Sequence, residues 1–141
     1  MKVLVDWIQV AWRIPKRRTI LILWAVAVAL VVIGSLLPGP ALTRIRFNAV
    51  APNDKLVHFM GYTVLALLPV AFLELVGTGL TLAVSMIPMG VLLEFLQKLV
   101  PGRSFEVGDM VANSLGVATG IMVALWLRAV LKRFAVAFER G

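Results

Sequence analysis

The sequence predicts an all-α fold, a four-helix transmembrane bundle with interfacial amphipathic segments at its N- and C-terminal ends. Three observations predict it. The first is composition: 61% of the 141 residues are hydrophobic and 15% are charged, with a mean hydropathy of +0.98, whereas soluble domains are nearer half apolar and a quarter charged. The second is length. Four segments, 19–37, 56–76, 80–98 and 110–127, each approach the stretch of about 20 apolar residues that crosses a bilayer core. The third is that these runs are continuous rather than alternating, which excludes a closed β-barrel. With no cysteine there is no disulfide scaffold. The formal net charge of +7 gathers at the ends of the apolar runs, which points to membrane lipid headgroups and away from nucleic acid.

Residues 1–18 form the first element. Lys2, Asp6, Gln9, Arg13 and Lys16 recur at helical spacing on one polar stripe, so the arm reads as an amphipathic helix lying in the headgroup plane. Segment 19–37 follows Lys16-Arg17-Arg18 and resembles a secretory signal at first sight. Its apolar run is too long for that, and Pro38-Gly39-Pro40 is no small-residue cleavage site, so it reads as a retained helix. Segments 56–76 and 80–98 contain Pro69 and Pro88, which spanning helices tolerate when neighbours satisfy the freed carbonyls; kinks are expected near both. Gly77-Thr78-Gly79 is the expected hairpin turn between them, with Glu74 snorkelling to the interface. Segment 110–127 closes the bundle, and residues 128–141 form a basic amphipathic tail.

Orientation follows from the flanking cations. Lys2, Arg13, Lys16, Arg17, Arg18, Arg128, Lys132, Arg133 and Arg140 lie on one side, against Arg44, Arg46, Lys55, Lys98 and Arg103 on the other. Both termini are therefore expected on the cytoplasmic face. The four tryptophans, Trp7, Trp12, Trp24 and Trp126, are expected as anchors near that boundary.

Polar residues inside spanning segments are costly and mark functional candidates. Here they converge at the opposite, outward end of three helices: Asp54, Lys55, His58 and Tyr62 at the start of the second, Glu94 and Gln97 at the end of the third, Asp109 and Asn113 at the start of the fourth, with Arg103 in the intervening loop. Asp54, His58 and Tyr62 share one helix face, as do Gly90, Glu94 and Gln97. Asp109, Asn113, Gly116 and Gly120 make a third stripe, polar above and small below, the pattern that lets helices pack closely. The expected result is a polar cup opening outward and sealed beneath by helix packing.

The ordered pieces are Ser35-Leu36-Leu37-Pro38, Asp54-Lys55-x-x-His58-Phe59-x-x-Tyr62, Glu94-x-x-Gln97, Pro101-Gly102-Arg103, and Asp109-x-x-x-Asn113-x-x-Gly116-x-x-x-Gly120. Together they resemble the VanZ-like family of small integral membrane proteins, named for an accessory factor in glycopeptide (teicoplanin) resistance. The resemblance spans roughly residues 20 to 127. It implies a multi-pass protein of the bacterial cytoplasmic (inner) membrane with a role in the cell envelope, antibiotic resistance being an attribute of some members.

Three functions remain in view. In the first, the cup binds an anionic envelope or lipid-linked cell-wall ligand, with Arg103 and Lys55 holding its charge and Glu94, His58, Asp109 and Asn113 orienting it; guanidinium offers a planar fork of donors for such an anion. In the second, the protein is an enzyme on a lipid phosphate or headgroup, with His58, Glu94 and Asp109 as candidate catalytic acid/base groups. In the third, the cup is interhelical glue for a protein partner in a membrane complex; for Tyr62 and Gln97 that hydrogen-bonding role is the expected one. One histidine with Glu94 and Asp109, and no cysteine, falls short of a zinc set; a hard cation held by oxygens is the alternative left open, and otherwise no metal and no cofactor is expected. Glu94 is expected either to pair with Arg103 or Lys55 or to hold a raised pKa.

Overall fold

Long apolar runs in a medium without water must satisfy every backbone group internally, and helices do so. The structure, a computed structural model, describes residues 17–41 and 54–139, and these contain four long helices and no strand: α1 (Arg17–Leu36), α2 (Asp54–Phe72), α3 (Val76–Gln97) and α4 (Val107–Glu139). All four are long and apolar enough to cross a membrane. Residues 1–16, and with them most of the expected amphipathic arm, lie outside the described residues. So do 42–53, which include Arg44 and Arg46, and Arg140.

α2 and α4 make the seam of the bundle. Gly116 and Gly120 present bare backbone to α2, Gly116 against the Phe59 carbonyl and Gly120 against the Thr63 carbonyl. A β-carbon at either position would collide with that backbone, so the seam depends on glycine. Tyr62, Leu65, Ala66 and Val70 of α2 pack with Ala83 and Met86 of α3 and with Val117 and Ala124 of α4 to form the core. α1 packs on the outside and buries only Ile20 and Ser35. Its remaining apolar side chains, Leu30 among them at 65% exposed, face the surroundings, as suits a lipid-facing helix.

Two local expectations change, and both prolines are placed inside helices. The α2–α3 turn is Leu73–Leu75 rather than 77–79, because Gly79 already belongs to α3 and packs its α-carbon against the Pro69 carbonyl, 2.6 Å from where a β-carbon would stand. Pro69 and Pro88 both lie inside helices that continue through them. Finally, the basic segment from Arg128 is no separate tail: α4 runs unbroken for 33 residues, about 50 Å at 1.5 Å per residue. That exceeds the ~30 Å hydrocarbon core, so one end of α4 projects beyond it.

Trp24 also differs from the expected interfacial anchor. Its indole Nε1 donates to the Leu65 carbonyl at 2.9 Å, tying α1 to the middle of α2.

Candidate functional site

The loop between α3 and α4 brings the site together. Gly102 has φ of +73°, a left-handed conformation suited to glycine. The Gly39 N–H donates to the Pro101 carbonyl at 3.1 Å, which docks this turn under the end of α1. Arg103 consequently enters the bundle rather than standing in a free loop. Its Nη2 donates to the carbonyls of Gly34 (3.3 Å) and Ser35 (3.2 Å), and Gln97 Nε2 donates to Ser35 as well, at 3.1 Å. The last carbonyls of a helix have no intrahelical partner, so these two side chains supply what water would supply elsewhere. Arg103 Nη1 also lies 3.7 Å from Asp54 Oδ2. The guanidinium expected to clasp a ligand anion is thus first of all the C-terminal cap of α1. Gln97 is the interhelical hydrogen-bonder its position suggests.

A second group forms where α2, α3 and α4 meet. His58 Nδ1 and Asn113 Oδ1 are 3.0 Å apart. Nε2 of the same ring faces Asp109 Oδ2 at 3.7 Å. Glu94 is fully buried; its Oε2 accepts the Glu106 N–H at 3.4 Å, while Oε1 has no hydrogen-bond partner among the described residues and lies 4.0 Å from His58 Nδ1. The expected direct pairing of Glu94 with Arg103 or Lys55 is therefore replaced by a backbone amide and an imidazole. Lys55 instead turns to Glu106 (2.7 Å) and Asp109 (3.4 Å). Tyr62 is buried against Gly90, where a β-carbon would come within 3.1 Å of its ring and hydroxyl. Its hydroxyl has no hydrogen-bond partner among the described residues, contrary to the hydrogen-bonding role expected of it.

Glu106 belongs to this site although the sequence pattern does not single it out. It sits just ahead of α4, accepts Lys55, and offers its own N–H to Glu94. The Lys55 ammonium, by hydrogen bond first and charge second, holds the Glu106 carboxyl below the usual carboxylate range. Arg128 is the other residue that was missed. From α4 it donates to the carbonyls of Val70 (3.1 Å), Ala71 (3.2 Å), Leu73 (2.7 Å) and Glu74 (3.3 Å), capping α2 at the far end of the bundle as Arg103 caps α1 at this end. Charge in a basic terminal stretch was its only signal.

Between α1 and α2 a groove of about 260 Å³ leads to this polar layer. Leu30, Val31 and Val57 give it an apolar wall; Asp54, His58, Tyr62 and Arg103 give it a polar floor. The nine polar candidates therefore separate into two sets. These four face the groove, whereas Lys55, Glu94, Gln97, Asp109 and Asn113 stand outside its lining; of these, Asn113 and Asp109 contact His58. One ligand atom from each of Asp54, His58 and Asp109 lies within 4.8 Å of the others, a set that Glu94 does not join.

A family model described as VanZ/LLP1 matches residues 18–128, a span that reaches from the start of α1 to Arg128. No curated protein and no solved structure matches the chain.

Proposed function

The chain belongs to the VanZ/LLP1 family, and on that premise we propose that it is a membrane-embedded binding protein for a lipid-linked amphiphile of the cell envelope. The observation that carries this reading is the groove between α1 and α2, which joins an apolar wall to a polar floor within one cavity. An acyl or isoprenoid chain would lie along Leu30, Val31 and Val57, while the headgroup would meet Asp54, His58, Tyr62 and Arg103. Ligand sites have this character, mostly apolar with a few convergent polar groups that fix orientation. α1 buries only Ile20 and Ser35, so the groove beside it lies at the periphery of the bundle. We place the polar end outward and both termini in the cytoplasm, from the distribution of lysine and arginine. A role in envelope homeostasis or glycopeptide tolerance is the physiological setting this reading suggests.

Arg103 spends much of its hydrogen-bonding capacity on carbonyls, so the headgroup is recognised by the floor as a whole rather than by one cation. Gly34 supplies the test. Gly34 lines the groove and nothing lies within 4 Å of a β-carbon built there, so Gly34→Phe adds a ring at the lining without a clash at its β-carbon. Mass spectrometry of the protein purified in detergent from its native membrane should find a retained lipid in the unmutated protein, and a loss of at least tenfold in Gly34→Phe. Equal retention by both proteins refutes the groove as the binding site.

A further inference from the structure

We propose that Asp54, His58 and Asp109 form a site for one divalent transition-metal ion at the floor of the groove. The argument begins with the imidazole. An amide oxygen only accepts hydrogen bonds, so the 3.0 Å contact with Asn113 Oδ1 places a proton on His58 Nδ1. Nε2 then turns toward the Asp109 carboxylate at 3.7 Å, too far for a hydrogen bond. His58 is only 9% exposed, and this nitrogen has no hydrogen-bond partner among the described residues. It faces the carboxylate oxygen across a gap wider than a hydrogen bond, a gap that a cation between them would fill. Nitrogen and oxygen ligands at about 2.1 Å from such an ion stand roughly 3.4 Å apart at a tetrahedral angle and up to about 4.2 Å when opposed. The 3.7 Å separation falls inside that range. Asp54, one turn before His58, completes the set with all three ligand atoms inside 4.8 Å, so reaching the same coordination distances asks for an inward shift of no more than about 1.4 Å.

The surroundings fit an ion as well. A metal-bound histidine generally donates its other N–H to an oxygen, which fixes the ring, and Asn113 is placed to accept it. Glu94, fully buried, directs its unpartnered Oε1 at the same imidazole. One imidazole and two carboxylates suit zinc, manganese or cobalt, and the groove gives the ion an approach past Asp54 and His58. Such an ion would turn an acid-rich floor into one that accepts an anionic headgroup, yet the site stands whether or not the groove holds an amphiphile.

The test uses full-length protein in detergent, stripped with EDTA and titrated with Co²⁺ and then Zn²⁺. The expected result is one ion per chain by elemental analysis, Co²⁺ visible bands that Zn²⁺ displaces, and a higher melting temperature with metal. Asp54→Asn and Asp109→Asn should each weaken Co²⁺ binding at least tenfold, while Glu74→Gln, at the opposite hairpin, leaves it unchanged. Should Asp109→Asn fail to fold, Asp54→Asn at the half-buried start of α2 decides the matter alone. Absence of stoichiometric metal in the unmutated protein overturns the proposal. So does wild-type Co²⁺ binding by Asp54→Asn.

Discussion

Glycine-to-alanine substitution at Gly120 and at Gly34 places the same methyl group in two helices with opposite consequences. At Gly120 the β-carbon would strike the Thr63 carbonyl of α2, and it would lie 2.9 Å from Ala66 Cβ and 3.0 Å from the Leu67 nitrogen. Two of these three neighbours are backbone, and none is a flexible side-chain end, so relief requires α2 and α4 to separate along their seam. Overpacking of this kind costs about 1–3 kcal/mol. Moving α4 away also loosens the contacts of Val117 and Ala124 with the core, which places the expected value near the upper end. At Gly34 nothing lies within 4 Å, and the helix gains the roughly 0.5–1 kcal/mol that alanine holds over glycine. The two variants should therefore differ by about 2–4 kcal/mol through opposite signs. Melting in detergent micelles, followed by the fluorescence of the four tryptophans, reads the difference. At roughly 2–4 °C per kcal/mol for a chain of this size, Gly120→Ala should melt several degrees below wild type and Gly34→Ala at or slightly above it. Coincident melting of Gly120→Ala, Gly34→Ala and wild type would refute the close α2–α4 seam.

Two further outcomes follow from the capping and charge contacts. Arg128→Ala removes the donor to four carbonyls at the end of α2 and should destabilise by about 2–3 kcal/mol, since hydrogen bonds to charged groups contribute about that much; Arg128→Lys, with a point charge in place of a fork, should recover only part in the same melting assay. The Lys55–Glu106 contact should depend on acid. Because the folded-state Glu106 carboxyl titrates below its ordinary value, its stabilising contribution is complete above that ordinary value and is lost as pH falls through the lowered one. Both groups are about half exposed, so the effect is small. The melting-temperature gap between wild type and Glu106→Gln should be present at about pH 7 and close toward about pH 3, below the ordinary carboxylate range; a gap that persists in acid contradicts the pairing.

Much of the site was legible along single helices. The four-residue spacing of Asp54, His58 and Tyr62 aligned them on α2, and the Asp109-to-Gly120 stripe marked both the polar top and the close-packed lower face of α4. That three helices gather their polar groups at one end was readable too, since each group's depth follows from its distance to the end of an apolar run. Glu106 was harder to see, because an acid in a short loop carries no periodic signal.

What the sequence by itself determined is the number of spanning helices, their order, the level of the polar layer and the need for small residues beneath it. These follow from run length and from period, both properties of one chain segment. The tertiary structure alone decided the partners. Arg103 and Arg128 look alike as flanking cations, yet each turns inward to cap another helix's carbonyls. Trp24, an apparent interfacial anchor, hydrogen-bonds to α2. Asp54 and His58 face the groove while Glu94 lies behind them. The physical reason is that a partner depends on how two helices are rotated and offset against each other, and that arrangement is set by the α2–α4 glycine seam and by the Pro101-Gly102 turn, which join residues distant in the chain.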